Sequence, residues 1–192
     1  MRGVHNERHS DSRYARTSAL NVSPHEHMLT LQPITQAQAE MAVEWIYPPP
    51  YDVYNISASS KATTVESFLR PDYHYYAVTN GPEFVAFRCF GPDAQVPGGD
   101  YSVPALDMGG GIRPDLTGRG LGGSVLSEAL KFGAEHFASQ LFRTTVADFN
   151  LRALRVCEKI GYERSTNFFS HILGRSYIVM TCPVSSVMCE AG

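Results

Sequence analysis

A glycine-rich turn joins an apolar segment to a helical pattern in the second half of the chain. The apolar segment ends at Pro114, and residues 117–124 have the sequence Thr-Gly-Arg-Gly-Leu-Gly-Gly-Ser. Glycine permits positive φ angles and lets the backbone approach a ligand closely. The first turn of a helix offers unpaired N–H groups and the positive end of its dipole. The segment therefore predicts an anion site, and the expected anion is a phosphate or pyrophosphate.

The residues after the turn have the periodicity of an amphipathic helix. Apolar residues recur every three or four positions, and the charged residues fall mostly on the opposite face. Arg119 lies inside the turn and adds a positive charge before this helix. The pattern predicts a helix over residues 121–138 with these apolar positions: Leu121, Val125, Leu126, Ala129, Leu130, Gly133 and Phe137.

Two known kinds of phosphate-binding turn differ from this one. A Walker A motif is excluded, because no Gly-Lys-Ser/Thr follows the glycines. Gly118, Gly120 and Gly123 do satisfy the dinucleotide pattern GxGxxG. However, residues 114–117 separate the apolar segment from the first glycine, and Arg143 lies where an acidic residue is expected. A dinucleotide-dependent enzyme is therefore only an alternative.

A strand and a capped helix are predicted next. Residues 142–147 are β-branched and aromatic, which is typical of a strand. Asp148 or Asn150 can cap the following helix, and Gly161 is placed to end it. The order is therefore apolar strand, glycine turn, helix, strand and capped helix.

These segments resemble the GNAT superfamily of acyl-CoA N-acyltransferases over roughly residues 28–183. The matching positions lie in the turn and in the capped helix: Thr117, Gly118, Arg119, Gly120, Leu121 and Gly122, then Asn150, Ala153, Gly161 and Tyr162. The resemblance implies an α/β (α+β) fold with a mixed, twisted sheet of about seven strands and four helices. In that fold the central parallel strands splay apart, and the pantetheine arm of acyl-CoA lies in the splay.

The resemblance also implies the activity and the cofactor. An acetyl group would pass from acetyl-CoA, a co-substrate, to a primary amine by direct attack on the thioester. The resemblance implies that the backbone of the run Gly109–Gly111 and the side chain of Asn150 contact the cofactor. The alternative for the glycine run is a structural bulge, and the alternative for Asn150 is a plain helix cap. The implied cofactor-binding residues are Gly111, Ile112, Arg113, Gly118, Arg119, Gly120, Leu121, Gly122, Gly123 and Asn150.

Two residues are candidates for catalysis. Asp107 lies beside the expected thioester, where a carboxylate can accept the amine proton; the alternative is a structural partner for an arginine or a loop N–H. Cys157 stands where the family often has a tyrosine that protonates the departing thiolate. A thiol, with a reference pKa of about 8.5, can donate a proton, but a small buried residue is the alternative. The exchange of tyrosine for cysteine also leaves open a catalytically idle acyl-CoA-binding module.

An aromatic and proline-rich segment is the candidate acceptor site. In the family, the segment between the first two helices borders the acceptor. Rigid aromatic walls with hydroxyl groups suit a small-molecule amine or a peptide N-terminus. Packing of the segment onto the protein's own core is the alternative. Residues 45–54 include three consecutive prolines and the four candidate substrate-binding residues Trp45, Tyr47, Tyr51 and Tyr54.

The chain is divided into one catalytic domain and two ends. Residues 1–27 are polar without apolar periodicity, so they are predicted to be a disordered extension that lacks a secretory signal. Residues 184–192 are predicted to be a loose C-terminal tail. The domain, residues 28–183, is predicted to have helices over residues 35–46 and 60–69, a hairpin over 73–79 and 83–90, a strand over 103–112, and a hairpin over 162–172 and 176–182.

Composition restricts the partners and the location. A net charge of −3 over 192 residues gives no electrostatic argument for nucleic acid and slightly favours a cationic acceptor. No apolar run approaches the roughly 18 residues that span a membrane. The four cysteines show no CxxC spacing, which indicates reduced thiols in a cytoplasmic protein and no metal or disulfide framework. A homodimer is compatible with these features.

Overall fold

A computed structural model describes residues 28–188. The predictions for residues 1–27 and 189–192 fall outside this range. Short 3-10 turns occupy Tyr51–Tyr54, Ala58–Ser60, Pro71–Tyr73, Pro92–Ala94 and Pro114–Leu116. The helices are α1 (Gln36–Val43), α2 (Lys61–Phe68), α3 (Leu121–His136), α4 (Leu151–Lys159) and α5 (Val184–Met188). The strands are β1 (Leu29–Pro33), β2 (Tyr75–Asn80), β3 (Glu83–Phe90), β4 (Leu106–Ile112), β5 (Leu141–Ala147), β6 (Glu163–Ser170) and β7 (Arg175–Pro183).

The strands form one mixed sheet in the order β1-β2-β3-β4-β5-β7-β6. β4 and β5 are parallel, whereas the other neighbouring strands are antiparallel. Within residues 28–188, β4 pairs with β5 only through Leu106 and Asp107, although its pairing with β3 continues to Ile112. The two parallel strands therefore separate after Asp107. This confirms the predicted mixed sheet with a splay between its central strands.

Helices cover both faces of the sheet. Adjacent residues of β2 mark the two faces, since Ala77 packs in one apolar cluster with α1 and α2, whereas Val78 packs with α3. We call these sides the α1/α2 face and the α3/α4 face. The second side holds the largest core cluster, to which Phe90, Leu130 and Leu154 contribute side chains that are almost fully buried. Apolar burial on both sides is what stabilises the twisted sheet.

The first helix is shorter than predicted. It begins after Thr35, whose hydroxyl accepts a hydrogen bond from Gln38 N while the Gln38 side chain accepts one from Thr35 N. This capping box satisfies donors at the helix start. The helix ends at Val43 with Glu44 as its C-cap, well before residue 46, because the prolines from Pro48 onward disfavour continuation.

The start of β4 and the end of α3 also differ from the sequence predictions. β4 begins at Leu106 rather than at residue 103, since Val103 lies in the preceding loop and its carbonyl accepts a hydrogen bond from Arg143 Nη1 at 2.9 Å. α3 ends at His136 rather than at residue 138, because Phe137 adopts an extended backbone conformation.

The chain after β7 begins with a short helix. Residues Val184–Met188 form a short helix in the segment that the sequence assigns to a loose tail. The Val184 N–H donates to the carbonyl of Gln140 at 3.1 Å, and its side chain packs against the core of the α3/α4 face. This anchoring explains the difference.

Two negative findings hold for residues 28–188. In this range no helix combines the length and the apolar character needed to cross a membrane. The same residues contain no group of three or more His, Cys, Asp or Glu side chains that could hold a metal ion.

Candidate functional site

The glycine turn lies between the end of β4 and the start of α3. Gly118 and Gly120 have φ angles of 76° and 87°, which glycine adopts without strain. Gly120 is the N-cap of α3, and no side chain forms a hydrogen bond at this cap. A Cβ atom at Gly120 or Gly123 would meet no atom within 4 Å. The first N–H groups of α3 are therefore free of a side-chain cap, and the turn has room for an anion.

Two arginines flank this turn. Arg119 is exposed within it. Arg152 of α4 reaches it from the other side, with Nη1 3.5 Å from Thr117 Oγ1. The Arg152 guanidinium lies 3.8 Å from the ring centre of Tyr51, and this cation–π contact holds it beside the turn. The turn thus combines N–H donors with the Arg152 guanidinium beside it, and Arg119 adds a second positive charge within the turn.

At two predicted cofactor-binding residues of the turn, Leu121 and Gly122, the side-chain position faces the protein interior. The Leu121 side chain is buried in a cluster with Leu29 and Val125, so only its backbone can contact a ligand. A Cβ atom at Gly122 would lie 3.3 Å from Cγ2 of Val156 on α4. This glycine therefore permits a close approach between two helices, and the cofactor contact predicted at Gly122 stays a prediction for its backbone.

Neighbouring residues lie close to the glycine run of β4 on both faces of the sheet. Gly110 has a φ angle of 149° and pairs with Arg88 of β3. A Cβ atom here would lie 2.2 Å from the Phe87 carbonyl oxygen and 2.8 Å from Arg88 Cδ, so this position requires glycine. On the opposite face, a Cβ at Gly111 would lie 3.0 Å from the Tyr47 hydroxyl. The register between β3 and β4 shows no shift, so the run is not a bulge.

Tyr47 is the predicted acceptor residue that lies against β4. Its hydroxyl donates to the Ile112 carbonyl at 2.9 Å. Asn55, which the sequence reasoning missed, holds the Tyr47 backbone: its Oδ1 accepts from Tyr47 N at 2.7 Å, and its Nδ2 donates to Tyr47 O at 3.2 Å. Burial raises the pKa of Tyr47 to about 12, so the hydroxyl stays neutral at physiological pH. The Tyr47 side chain is therefore held in place and presents a neutral hydroxyl group beside β4.

Trp45 belongs to the core of the α1/α2 face. Its side chain is only 8% exposed, and its ring centroid lies 5.2 Å from that of Phe84 and 5.7 Å from that of Phe87. Because its indole packs against the protein's own aromatic residues, these contacts favour the alternative of packing onto the core, and the substrate contact at Trp45 stays a prediction.

Tyr51 and Tyr54 connect the proline-rich segment to the turn between β5 and α4. Both ring centroids lie 6.0 Å from that of Phe149. Asn150 caps α4 by accepting from Ala153 N at 3.1 Å, and its Nδ2 donates to the Tyr54 hydroxyl at 3.2 Å. Burial raises the pKa of Tyr54. These two tyrosines thus lie at the start of α4, next to the predicted cofactor-binding residue Asn150.

Asp107 forms a buried ion pair with Arg143. Arg143 Nε lies 2.5 Å from Oδ1 and Nη2 lies 2.8 Å from Oδ2, while Gln95 Nε2 donates to Oδ2 at 2.7 Å. The bond to Asp107 raises the pKa of Arg143. The Tyr101 ring centre lies 4.7 Å from the same guanidinium. Because both carboxylate oxygens already accept hydrogen bonds, these contacts favour the alternative of a structural partner for an arginine. The general-base role of Asp107 stays a prediction.

The Arg113 side chain is committed to a surface network. Its Nε and Nη2 donate to the two carboxylate oxygens of Asp115 at 2.7 and 3.1 Å, and Nη2 also donates to Glu83 at 2.7 Å. Its Nη1 donates to the Phe84 carbonyl at 3.2 Å. Hydrogen bonds to Asp115 and Glu83 raise the pKa of Arg113. The guanidinium is therefore engaged within the protein, and the cofactor contact predicted at Arg113 stays a prediction for its backbone.

Cys157 lies on the inner side of α4. It is 6% exposed and belongs to the core cluster that contains Met108, Leu154 and Tyr162. Burial raises the pKa of its thiol to about 11. The thiol is therefore protonated at physiological pH, and its surroundings favour the packing role over the predicted proton donor.

Arg88 is a residue of this region that the sequence reasoning missed. It is the only charged residue within residues 84–90. A single charge in an otherwise apolar strand is the sequence feature that could have identified it as a candidate site residue. Its Nε is buried and has no hydrogen-bond partner among residues 28–188. Electrostatic interactions link it to Cys157 and Tyr162, and burial lowers its pKa.

A family model described as the acetyltransferase (GNAT) family matches residues 39–162. The matched range includes the glycine turn and α4, and it spans more than half of the 192 residues. No curated protein sequence shows a significant match to the chain.

Solved structures with the same fold include three acetyltransferases. A spermidine N-acetyltransferase chimera from Vibrio cholerae has a TM-score of 0.63 at 13% identity, with 84% of this chain and 98% of that chain covered. An aminoglycoside N(6')-acetyltransferase from Legionella pneumophila has a TM-score of 0.66 at 16% identity, with 86% and 97% covered. An aminoglycoside acetyltransferase in complex with coenzyme A has a TM-score of 0.67 at 16% identity, with 85% and 99% covered. At these identities the similarity establishes the fold.

Proposed function

Because the chain belongs to the acetyltransferase (GNAT) family, we propose that it transfers an acetyl group from acetyl-CoA to a primary amine. One observation carries the proposal. At the glycine turn, α3 begins without a side-chain cap, and the space at Gly120 is open. The turn follows β4, the strand that separates from β5. A phosphate site next to a gap between parallel strands suits a long, anionic and partly extended cofactor.

The side chains and backbone around the splay fit acetyl-CoA. The N–H groups at the start of α3, together with Arg119 and Arg152, would hold its phosphates. The backbone of Gly110 and Gly111 would line its pantetheine arm along the edge of β4 that no longer pairs with β5. When bound, acetyl-CoA supplies an activated acyl carbon as its thioester. The protein's task is then to hold this group and to bring an amine to it.

We place the acceptor on the α1/α2 face of β4, where Tyr47 contacts the backbone of Gly111 and Ile112. The acceptors we propose are small cationic amines. This is supported by the net charge of −3 and by the names of the similar structures, which are acetyltransferases of spermidine and of aminoglycosides. A peptide N-terminus is the alternative acceptor. Since Asp107 is bound to Arg143, we propose that the amine proton leaves through water rather than to this carboxylate.

The test has a binding arm and a turnover arm. In the binding arm, acetyl-CoA should raise the melting temperature of the protein, whereas NAD should not. In the turnover arm, a panel of polyamines, aminoglycosides, amino acids and peptides is screened for release of free CoA thiol. Release with at least one amine is the expected result. Binding without release across the panel would favour an idle acyl-CoA-binding module, and stabilisation by NAD alone would contradict the proposal.

A further inference from the structure

Arg88 points from β3 to the α3/α4 face of the sheet. Alternation along the strand settles this direction. Phe87 packs against Trp45 on the α1/α2 face, whereas Phe90 belongs to the core cluster of the α3/α4 face. Arg88 lies two positions before Phe90, so the two side chains lie on the same face of the strand. Its side chain is therefore on the side where α4 carries Cys157.

The side chain of Arg88 crosses β4 at Gly110. The two residues are register partners, and a Cβ at Gly110 would lie 2.8 Å from Arg88 Cδ. Gly110 lies three positions beyond Asp107, the last residue that pairs with β5. The absence of a side chain at Gly110 thus gives the aliphatic part of Arg88 a path over β4 at the splay.

The positive charge of Arg88 has no counter-charge in the described chain. No ion pair within residues 28–188 involves it, and its buried Nε has no hydrogen-bond partner. The ionisable groups that act on it are Cys157, Tyr162 and Cys89. Burial raises the pKa of each of these three groups, so they are neutral at physiological pH.

Arg143, on the other side of β4 in β5, provides the contrast. It also lies beside the splay, but Asp107 neutralises it through two hydrogen bonds. Arg88 as a whole is partly buried, and a guanidinium with a buried, unpartnered Nε and no counter-charge is costly, while arginine keeps its proton in proteins. An unpaired cation of this kind is suited to stabilise an anion that is present only while a ligand is bound or reacts.

We propose that Arg88 stabilises the negative charge that develops on the thioester sulfur of acetyl-CoA during acetyl transfer, an inference that rests on the proposed function. In this step the amine nitrogen bonds to the acyl carbon, and the carbon–sulfur bond breaks. The electron pair of that bond stays on sulfur, and the amine proton passes to water. Arg88 remains protonated throughout. Cys157 then need not donate its proton to the leaving thiolate, and its small size leaves space for the guanidinium.

The test measures the pKa of the thiol of CoA bound to the full chain, from the ultraviolet absorbance of the thiolate. In the parent protein, we expect this pKa to lie at least about one unit below that of free CoA titrated alongside, because a cation favours the thiolate. Arg88→Met removes the charge and should abolish the shift, whereas Arg88→Lys should retain part of it. Arg164→Met is the matched control, since it removes an exposed arginine of β6 paired with Glu158, and it should keep the full shift.

Two further readouts separate this role from a structural one. Unliganded Arg88→Met should melt at a higher temperature than the parent, since an unpaired charge is removed from the protein interior. Its kcat should fall about 100-fold, while its affinity for acetyl-CoA changes little. A lower melting temperature of Arg88→Met, or equal thiol pKa values in parent and Arg88→Met, would overturn the role of Arg88 and leave the proposed function intact. Failure of the parent to bind CoA would overturn both.

Discussion

The substitution Asp107→Asn distinguishes between two roles of the Asp107 carboxylate, that of a structural partner for Arg143 and that of a catalytic base. The ion pair with Arg143 is buried, with each side chain 5% exposed, so solvent and salt screen it little. Removal of one partner of such a pair costs about 3–5 kcal/mol, because the other charge is left unpaired. Arg143 would retain the Val103 carbonyl and the Tyr101 ring, and the Asn amide can keep one hydrogen bond. We therefore expect the free energy of unfolding to fall by about 3 kcal/mol, the lower end of that range.

Thermal and urea unfolding measure this loss. For a chain of this size, 1 kcal/mol corresponds to roughly 2–4 °C in melting temperature, so Asp107→Asn should melt roughly 6–12 °C below the parent. Turnover per folded molecule should be largely kept. Asp72→Asn, which breaks an exposed pair with Arg70, is the control and should not change the melting temperature measurably. An unchanged melting temperature together with lost turnover would refute the structural role and restore Asp107 as the base.

Two other predictions concern Cys157 and the N-terminal residues. Cys157→Ala removes a buried sulfur from the core and should lower the free energy of unfolding by about 1 kcal/mol; if Arg88 stabilises the thiolate, steady-state rates per folded molecule should equal those of the parent, and a tenfold loss of kcat would identify Cys157 as a proton donor. A chain that begins at Met28 should keep the melting temperature and acetyl-CoA affinity of the full chain, because residues 1–27 lack apolar periodicity; a large loss of either in calorimetry would show that these residues pack or bind.

The geometry of the glycine turn could be predicted from the sequence because the rules that determine it are local. Glycine spacing, apolar periodicity and helix-start rules act over a few residues, and the structure places Gly118 and Gly120 at positive φ before an uncapped α3. The order of strands and helices followed from the same local patterns. The ends of α1 and β4 were less accessible, since they depend on caps and loop contacts.

The partners of the catalytic candidates were not accessible in this way. Asp107 and Arg143 are 36 positions apart in sequence, and only the parallel pairing of β4 with β5 brings them together. Trp45 and Tyr47 differ by two positions, yet one joins the core and the other contacts β4. The direction of Arg88 depends on the register between β3 and β4. Such contacts come from the sheet as a whole, which residue spacing does not reveal.

The acetyl-CoA affinity of Gly120→Val, measured by isothermal titration calorimetry, tests the central claim most directly. A side chain at Gly120 would enter the open space in front of α3, where we place the phosphates. Gly81→Val is the matched control, since Gly81 also has a positive φ angle and an empty Cβ position but lies in the turn between β2 and β3. We predict that Gly120→Val weakens binding at least about tenfold, or about 1.4 kcal/mol, while Gly81→Val binds as the parent does. Equal affinity of Gly120→Val and the parent would contradict the assignment of this turn to acetyl-CoA.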